Sequence, residues 1–172
     1  MKKYFSLLLI AVMALFVVSC TDETTNNGPY EDNDTYAVTY DITDNFSNAT
    51  GDYIISRTFN TPIPASDVVL VYRKSGTDAG NTVWQQIPRT LFLDQGELDY
   101  DFDFTRNDVQ LYANGTIDLA AQSQEFKNMY LNSQTFRIVI VPAAAGKSAV
   151  DHSDYDAVIR HYGIDDSQVK SL

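Results

Sequence analysis

The chain has 172 residues with 23 acidic and 12 basic side chains, a formal charge of −11, and a single cysteine. A surface of that sign repels nucleic acid and anionic head groups, and no Lys/Arg cluster reverses it locally. One cysteine excludes an intramolecular disulfide framework, so stability must come from an ordinary hydrophobic core, and the length allows one such domain.

Residues 1–19 read as a secretory signal: Lys2 and Lys3, an apolar run to Val18, then Ser19 ahead of Cys20. The strongly apolar stretch Leu7 to Val18 falls short of the about 20 residues that a membrane helix needs. A lone thiol is unusual in an oxidising compartment. Val17-Val18-Ser19-Cys20 resembles a bacterial lipobox, which makes Cys20 the expected lipid acceptor and first residue of the mature chain. An N-terminal membrane helix and a soluble secretory signal with an incidental cysteine fit less well. The resemblance implies a diacylglyceryl thioether and, usually, an amide-linked third chain. One acyl chain binds a membrane only marginally, at ~0.8 kcal/mol per buried CH₂, whereas two or three hold it stably. Cleavage before Cys20 also removes Lys2 and Lys3 and takes the formal charge from −11 to −13.

Residues 20–35 are expected to form a flexible tether, since Thr, Asn, Asp, Glu, Gly and Pro dominate and Tyr30 is the only large apolar side chain. Thr21-Asp22-Glu23 resembles the acidic export signal of surface-exposed lipoproteins in the Bacteroidota. The expected address is therefore the cell envelope, with lipid anchorage to the outer membrane and possible display at the surface.

From Tyr36 the dominant period is two, the mark of strands with one buried face. Tyr36 to Ile42, Asp52 to Phe59 and Val68 to Tyr72 are predicted strands, with Pro62 and Pro64 between the last two. Ser75 to Asn81 has loop composition, and Val83 to Ile87 is a strand closed by Pro88. Leu98 to Phe104 gives the cleanest alternation in the chain. Val109 to Tyr112 and Thr116 to Leu119 flank Asn114-Gly115, a dipeptide suited to a tight hairpin turn. Ala120 to Asn132 fits a short helix or a loop equally. Phe136 to Val141 is an uninterrupted apolar run, expected as a central strand buried on both faces.

After the small-residue linker Ala143 to Gly146 the period changes. Tyr155, Val158, Ile159 and Tyr162 share one helical face, with Ser153 or Asp151 as cap and Gly163 as stop. A second turn capped by Asp165 or Asp166 is expected to place Val169 and Leu172 inward. The predicted fold is mainly β: an antiparallel Greek-key, immunoglobulin-like β-sandwich over 36–172, with a short C-terminal helix from about 151. A small β-barrel is the alternative. Trp84 reads as a core anchor.

Glu97, Asp99, Asp101 and Asp103 alternate with Leu98, Tyr100, Phe102 and Phe104, so the four acids share the outward face of a strand. Asp99, Asp101 and Asp103 are candidate calcium ligands, with help from Asp41 to Asn45. Calcium asks for six to eight oxygens from an irregular loop, however, and no segment has the glycine-containing calcium-loop spacing. A solvated face that discourages edge pairing fits better. His152 and His161 are nine residues apart, which is not a metal pair on one helical face. Asn114-Gly115-Thr116 matches an N-glycosylation pattern, of little weight beside a lipobox. No nucleophile motif, metal motif or phosphate loop occurs, so no catalytic centre and no cofactor is expected.

Trp84-Gln85-Gln86-Ile87-Pro88, Tyr100 to Thr105 and Phe136 to Pro142, within Val68 to Pro142, together resemble a group of uncharacterised Bacteroidota envelope lipoproteins with a β-sandwich domain. The resemblance implies location and fold and carries no catalytic or binding residue. The expected partners are the membrane, through the lipid anchor, and an envelope protein or a glycan, but no nucleic acid. A non-enzymatic envelope module that binds or builds structure is the first expectation. A glycan binder using some of the 11 tyrosines is the second, and a hydrolase with a dispersed site the third.

Overall fold

The structure, a computed structural model, describes residues 37–49, 51–142 and 150–172. The expected signal, the lipid acceptor Cys20, the tether and the linker at 143–146 lie outside the described residues.

The chain is mainly β. The strands in order are β1 (Val38–Asp44), β2 (Tyr53–Thr58), β3 (Val68–Asp78), β4 (Asn81–Ile87), β5 (Arg89–Leu93), β6 (Gly96–Phe104), β7 (Asp108–Gly115), β8 (Gln134–Val141) and β9 (Lys170–Ser171). Helix α1 spans Gln124–Tyr130, and α2 spans Tyr155–Tyr162. Sheet A runs β4-β3-β8-β1-β9 and sheet B runs β2-β7-β6-β5. Every pairing is antiparallel except that of β9 with β1. Neither sheet closes on itself, so the barrel alternative falls away.

The period-two pattern decides which faces meet. Ile42, Val69, Val71, Phe136, Ile138 and Ile140 from sheet A share one core with Ile55, Leu98, Tyr100, Val109 and Leu111 from sheet B. Strand β8 lies in the middle of sheet A and is buried along nearly all its length, as its apolar run predicts. The outward side chains of that sheet, Leu70, Tyr72, Val139 and Val141, are covered by Tyr155 and Val158 of α2. Each of the two helix side chains, once fully buried, stabilises the docking by roughly 1.5–3 kcal/mol. Trp84 belongs to this outer cluster as a half-buried residue, and its ring centroid lies 5.6 Å from that of Tyr155. It anchors the helix rather than the space between the sheets.

Several expectations are corrected. Ser75 to Asn81 is not a loop: β3 continues to Asp78 and pairs with β4 around a tight turn at Ala79-Gly80, with φ of 46° and 88°. Strand β5, which the sequence reading lacks, follows directly on Pro88 as the chain passes from sheet A to sheet B. Asn114-Gly115 is not a hairpin turn, and Thr116 to Leu119 is not a strand. Both residues of the dipeptide pair with β6, Asn114 opposite Asp99 and Gly115 opposite Leu98. Gly115 has φ of 131°, and a Cβ there would lie 2.2 Å from the Glu97 carbonyl oxygen. The glycine serves close backbone approach, not chain reversal. The reversals of sheet B lie instead at Asp94-Gln95 and between Phe104 and Asp108.

The open question over Ala120 to Asn132 resolves as α1, whose cap Ser123 accepts from the Phe126 amide at 3.2 Å. Helix α2 forms where its periodicity predicts and ends at Gly163, yet Asp154 caps it, accepting from the Ala157 amide at 3.0 Å. Asp151 turns the chain just before, accepting from Ser153 N and Oγ. The expected second turn forms at Asp165 to Gln168, with the Asp165 carboxylate accepting from Ser167 N and Oγ and its carbonyl from Gln168 N at 3.1 Å, but it does not extend into a helix. Lys170 and Ser171 extend beside Tyr40 and Asp41 of β1, and Leu172 packs on the main core.

Candidate functional site

The ends of sheet B are uneven. Strand β2 begins at Tyr53, opposite Ala113, while β7 continues for two more residues against β6. Asn114 and Gly115 therefore lack a strand neighbour on the β2 side. A groove of about 510 Å³ occupies this place, walled by Asn48 and Gly51 to Tyr53 on one side and Ile117 to Ala120 on the other. Its volume lies within the ~300–1,000 Å³ of small-molecule sites.

The groove is lined by polar Asn48, Asp52, Asn114 and Asp118 and by apolar Ile117 and Leu119, with Tyr53 on the inward face of sheet B and Tyr112 on its outward face. Tyr53 and Tyr112 are half-buried. The Tyr112 hydroxyl donates to Asp103 Oδ2 at 2.7 Å, and this bond pushes its pKa up to about 12, so the ring is fixed and neutral. Asn48 Nδ2 donates to the Tyr53 hydroxyl at 3.3 Å. Asp118 accepts the Ala120 and Ala121 amides at 3.1 and 3.2 Å, both on Oδ1. No lysine or arginine lines the groove.

A second cleft, of about 580 Å³, lies beside α2 and is lined by Trp84, Arg137, Tyr155 and Asp166 among others. Its polar groups are engaged with one another. The buried Arg137 guanidinium donates from Nε and Nη2 to both Asp41 oxygens, at 2.7 and 2.8 Å, and from Nη1 to the Tyr155 hydroxyl. It also stacks 4.5 Å above the Trp84 ring, and Asp166 stands 3.6 Å away. Burial works against the charge, but the bonds to Asp41 and Tyr155 outweigh it and raise the Arg137 pKa. Burial likewise pushes Tyr155 up to about 12. This cluster staples α2 to sheet A.

The sequence-predicted candidates are not brought together. Glu97, Asp99, Asp101 and Asp103 do lie on the outward face of β6, opposite buried Leu98 and Tyr100. Asp99 accepts from Thr90 Oγ1, Asp101 from the Phe102 amide and Asp103 from Tyr112. Asp41 and Asp44 pair with Arg137 and Arg57. Among the described residues, no three His, Cys, Asp or Glu side chains converge as metal ligands. His152 and His161 are exposed on either side of Tyr162, and the Tyr72 hydroxyl donates to the His152 carbonyl at 2.7 Å. Sequence reasoning missed the groove because its walls come from three separated segments. The one signal in the sequence is Asn114-Gly115, which marks unusual backbone but fits a tight turn as well as a close approach.

No family model, curated protein or solved structure matches the chain.

Proposed function

We propose that the chain is a non-catalytic binding module of the bacterial cell envelope, held at the outer membrane by lipid on Cys20. Supporting the anchor are Lys2 and Lys3, the short apolar run and the lone cysteine behind it. The acidic Asp22-Glu23 pair supports surface display. The observation that carries the binding role is the groove at the bare end of β7. It is a concavity of small-molecule size, lined by Asn48, Asp52, Asn114 and Asp118 beside apolar Ile117 and Leu119.

We also read the fold as a Greek-key sandwich. The nested pairing of β1 with β8 and of β2 with β7 is what such winding leaves behind, and it lies nearer to a jelly roll than to an immunoglobulin domain.

Two measurements test the proposal. Cells expressing the full chain and supplied with labelled palmitate should yield a labelled, membrane-bound protein, and Cys20→Ser should lose both label and membrane fraction. A photo-crosslinking residue at Asn114 should then form envelope adducts that one at Thr77, on the exposed β3–β4 arm, does not. Equal yields at the two positions, or none, would refute the binding role.

A further inference from the structure

We propose that the free edge of β5, beside α1, receives an extended basic segment of a partner protein as an added strand. This surface is separate from the groove at β7, and the proposal does not rest on that groove.

The backbone supplies the first observation. Strand β5 is the outer strand of sheet B and pairs with β6 alone, with no shift of register. In an antiparallel pair, alternate residues turn their N–H and C=O groups toward the neighbour or away from it. Glu97, opposite Phe92, uses both groups on Thr116 at its other side: its N–H donates to Thr116 Oγ1 at 2.9 Å, and its carbonyl accepts from Thr116 N at 3.0 Å. Phe92 therefore aims its own N–H and C=O away from the sheet, and Thr90, two residues earlier, does the same. Among the described residues, no loop or turn bonds to either. Such a bare, regular edge is a template for strand addition.

The second observation is what borders that edge. A groove of about 400 Å³ runs between the end of β5, Phe92 to Gln95, and α1, where Glu125, Met129 and Tyr130 line it. Phe92 and Met129 are two of the five large apolar side chains left exposed among the described residues, at 80% and 54%. Phe92 lies on the outward face of β5, and Leu93 packs on the core from the inward face. An added strand alternates in the same way, so at an edge it extends both faces at once.

The third is charge. Asp94 and Glu125 line the groove, and Glu97 stands opposite Phe92. No Lys or Arg lines it. Lys127 of α1 donates to the Ala120 carbonyl at 2.8 Å, and Arg89 lies at the far end of β5, roughly 13 Å from Leu93. A strand with Lys or Arg between its apolar residues is attracted, whereas an acidic one is repelled, as is a second copy of this chain with its charge of −11.

The test is calorimetry on the full-length protein in a non-ionic detergent. The probes are ten-residue peptides of alternating Val and Lys and of alternating Val and Glu, each titrated into detergent alone as a blank. The Val/Lys peptide should bind, and the Val/Glu peptide should bind at least about tenfold more weakly. Phe92→Ser should weaken Val/Lys binding by roughly fivefold, the scale of one aromatic cross-strand pair, and Phe92→Tyr should bind like the parent. Val83→Ser, on the exposed arm of β4, is the control and should change nothing. Two further Val/Lys peptides carry N-methyl groups, one on its Val nitrogens and one on its Lys nitrogens. Alternate amides of a strand face one side, so at least one of these two should lose binding.

Four results overturn the inference: the Val/Lys peptide does not bind, the Val/Glu peptide binds equally well, Phe92→Ser leaves the affinity unchanged, or both N-methylated peptides bind like the unmodified one. Sedimentation of the protein alone adds a fifth. A dimer that Phe92→Ser dissociates would put a second copy on the edge in place of a basic segment.

Discussion

Replacing Gly115 by alanine should be among the most damaging single changes in the domain, although the residue is exposed at the end of a strand. Two effects add. The backbone sits at φ of 131°, a region essentially reserved for glycine, and holding alanine there costs about 1–3 kcal/mol. The new Cβ would also lie 2.2 Å from the Glu97 carbonyl oxygen and 2.9 Å from its carbon, so backbone rather than a pliable side chain must move. Moving it strains the bond from Thr116 N to that same oxygen, now 3.0 Å, worth about 1 kcal/mol. Together these amount to a loss of about 2–4 kcal/mol, a large share of the ~5–15 kcal/mol that holds a typical domain folded. Gly76 provides the internal control. It has ordinary backbone angles and nothing within 4 Å of an added Cβ, so Gly76→Ala should stay within about 0.5 kcal/mol of the parent. Urea unfolding with tryptophan fluorescence reads both, because Trp84 is the only tryptophan. Two variants within 1 kcal/mol of each other at unchanged slope would refute the close-approach argument.

Three further outcomes follow from the polar clusters. Asp41→Asn keeps the shape beside Arg137 but removes the opposite charge, and should lower stability by about 1.5–3 kcal/mol. A cycle with Arg137→Met measures the coupling, and additive losses would contradict the staple. Gln134→Leu should cost about 2–4 kcal/mol, since Gln134 accepts from buried Arg73 and donates to the Met129 and Asn132 carbonyls; a neutral melt would contradict it. Stability should also fall as pH rises from about 10 to about 12, because Tyr100, Tyr112 and Tyr155 are each pushed up to about 12 in the folded state, from 10.0. The unfolded chain releases these protons first, so the contribution is complete below pH 10 and lost above it. An unfolding midpoint that does not move between pH 9 and 11.5 would count against this.

What could be read from the sequence was whatever repeats regularly along one element. Strand β6 announces itself through Leu98, Tyr100 and Phe102 at period two, β8 through its apolar run, and α2 through Tyr155, Val158 and Tyr162. What escaped depends on partners. The outer arm of the β3–β4 hairpin, Ser75 to Asp78, is exposed on both faces, so no hydrophobic pattern marks it and only its ladder makes it a strand. Arg89 to Leu93 is five residues at a sheet edge, too short to show a period behind Pro88. Gly115 was misread because Asn-Gly serves a tight turn and a close approach by the same freedom at φ. The groove was out of reach, since it is a gap left where β2 starts two residues short of the end of β7.

The nested strand order bears on when this domain can fold. Asp41 meets Arg137 across 96 residues, and Thr43 meets Thr135 across 92, so β1 has no antiparallel partner until β8 has been made. Closing loops of that length must precede any gain from the pairing, and topologies rich in such distant contacts fold slowly, in about milliseconds to seconds. In an emerging chain the β3–β4 hairpin and sheet B can pair earlier, but β1 stays without its antiparallel partner until Gln134–Val141 has been made. The lipid anchorage proposed above requires passage through a pore as unfolded chain, and a first strand that waits for β8 suits such a route.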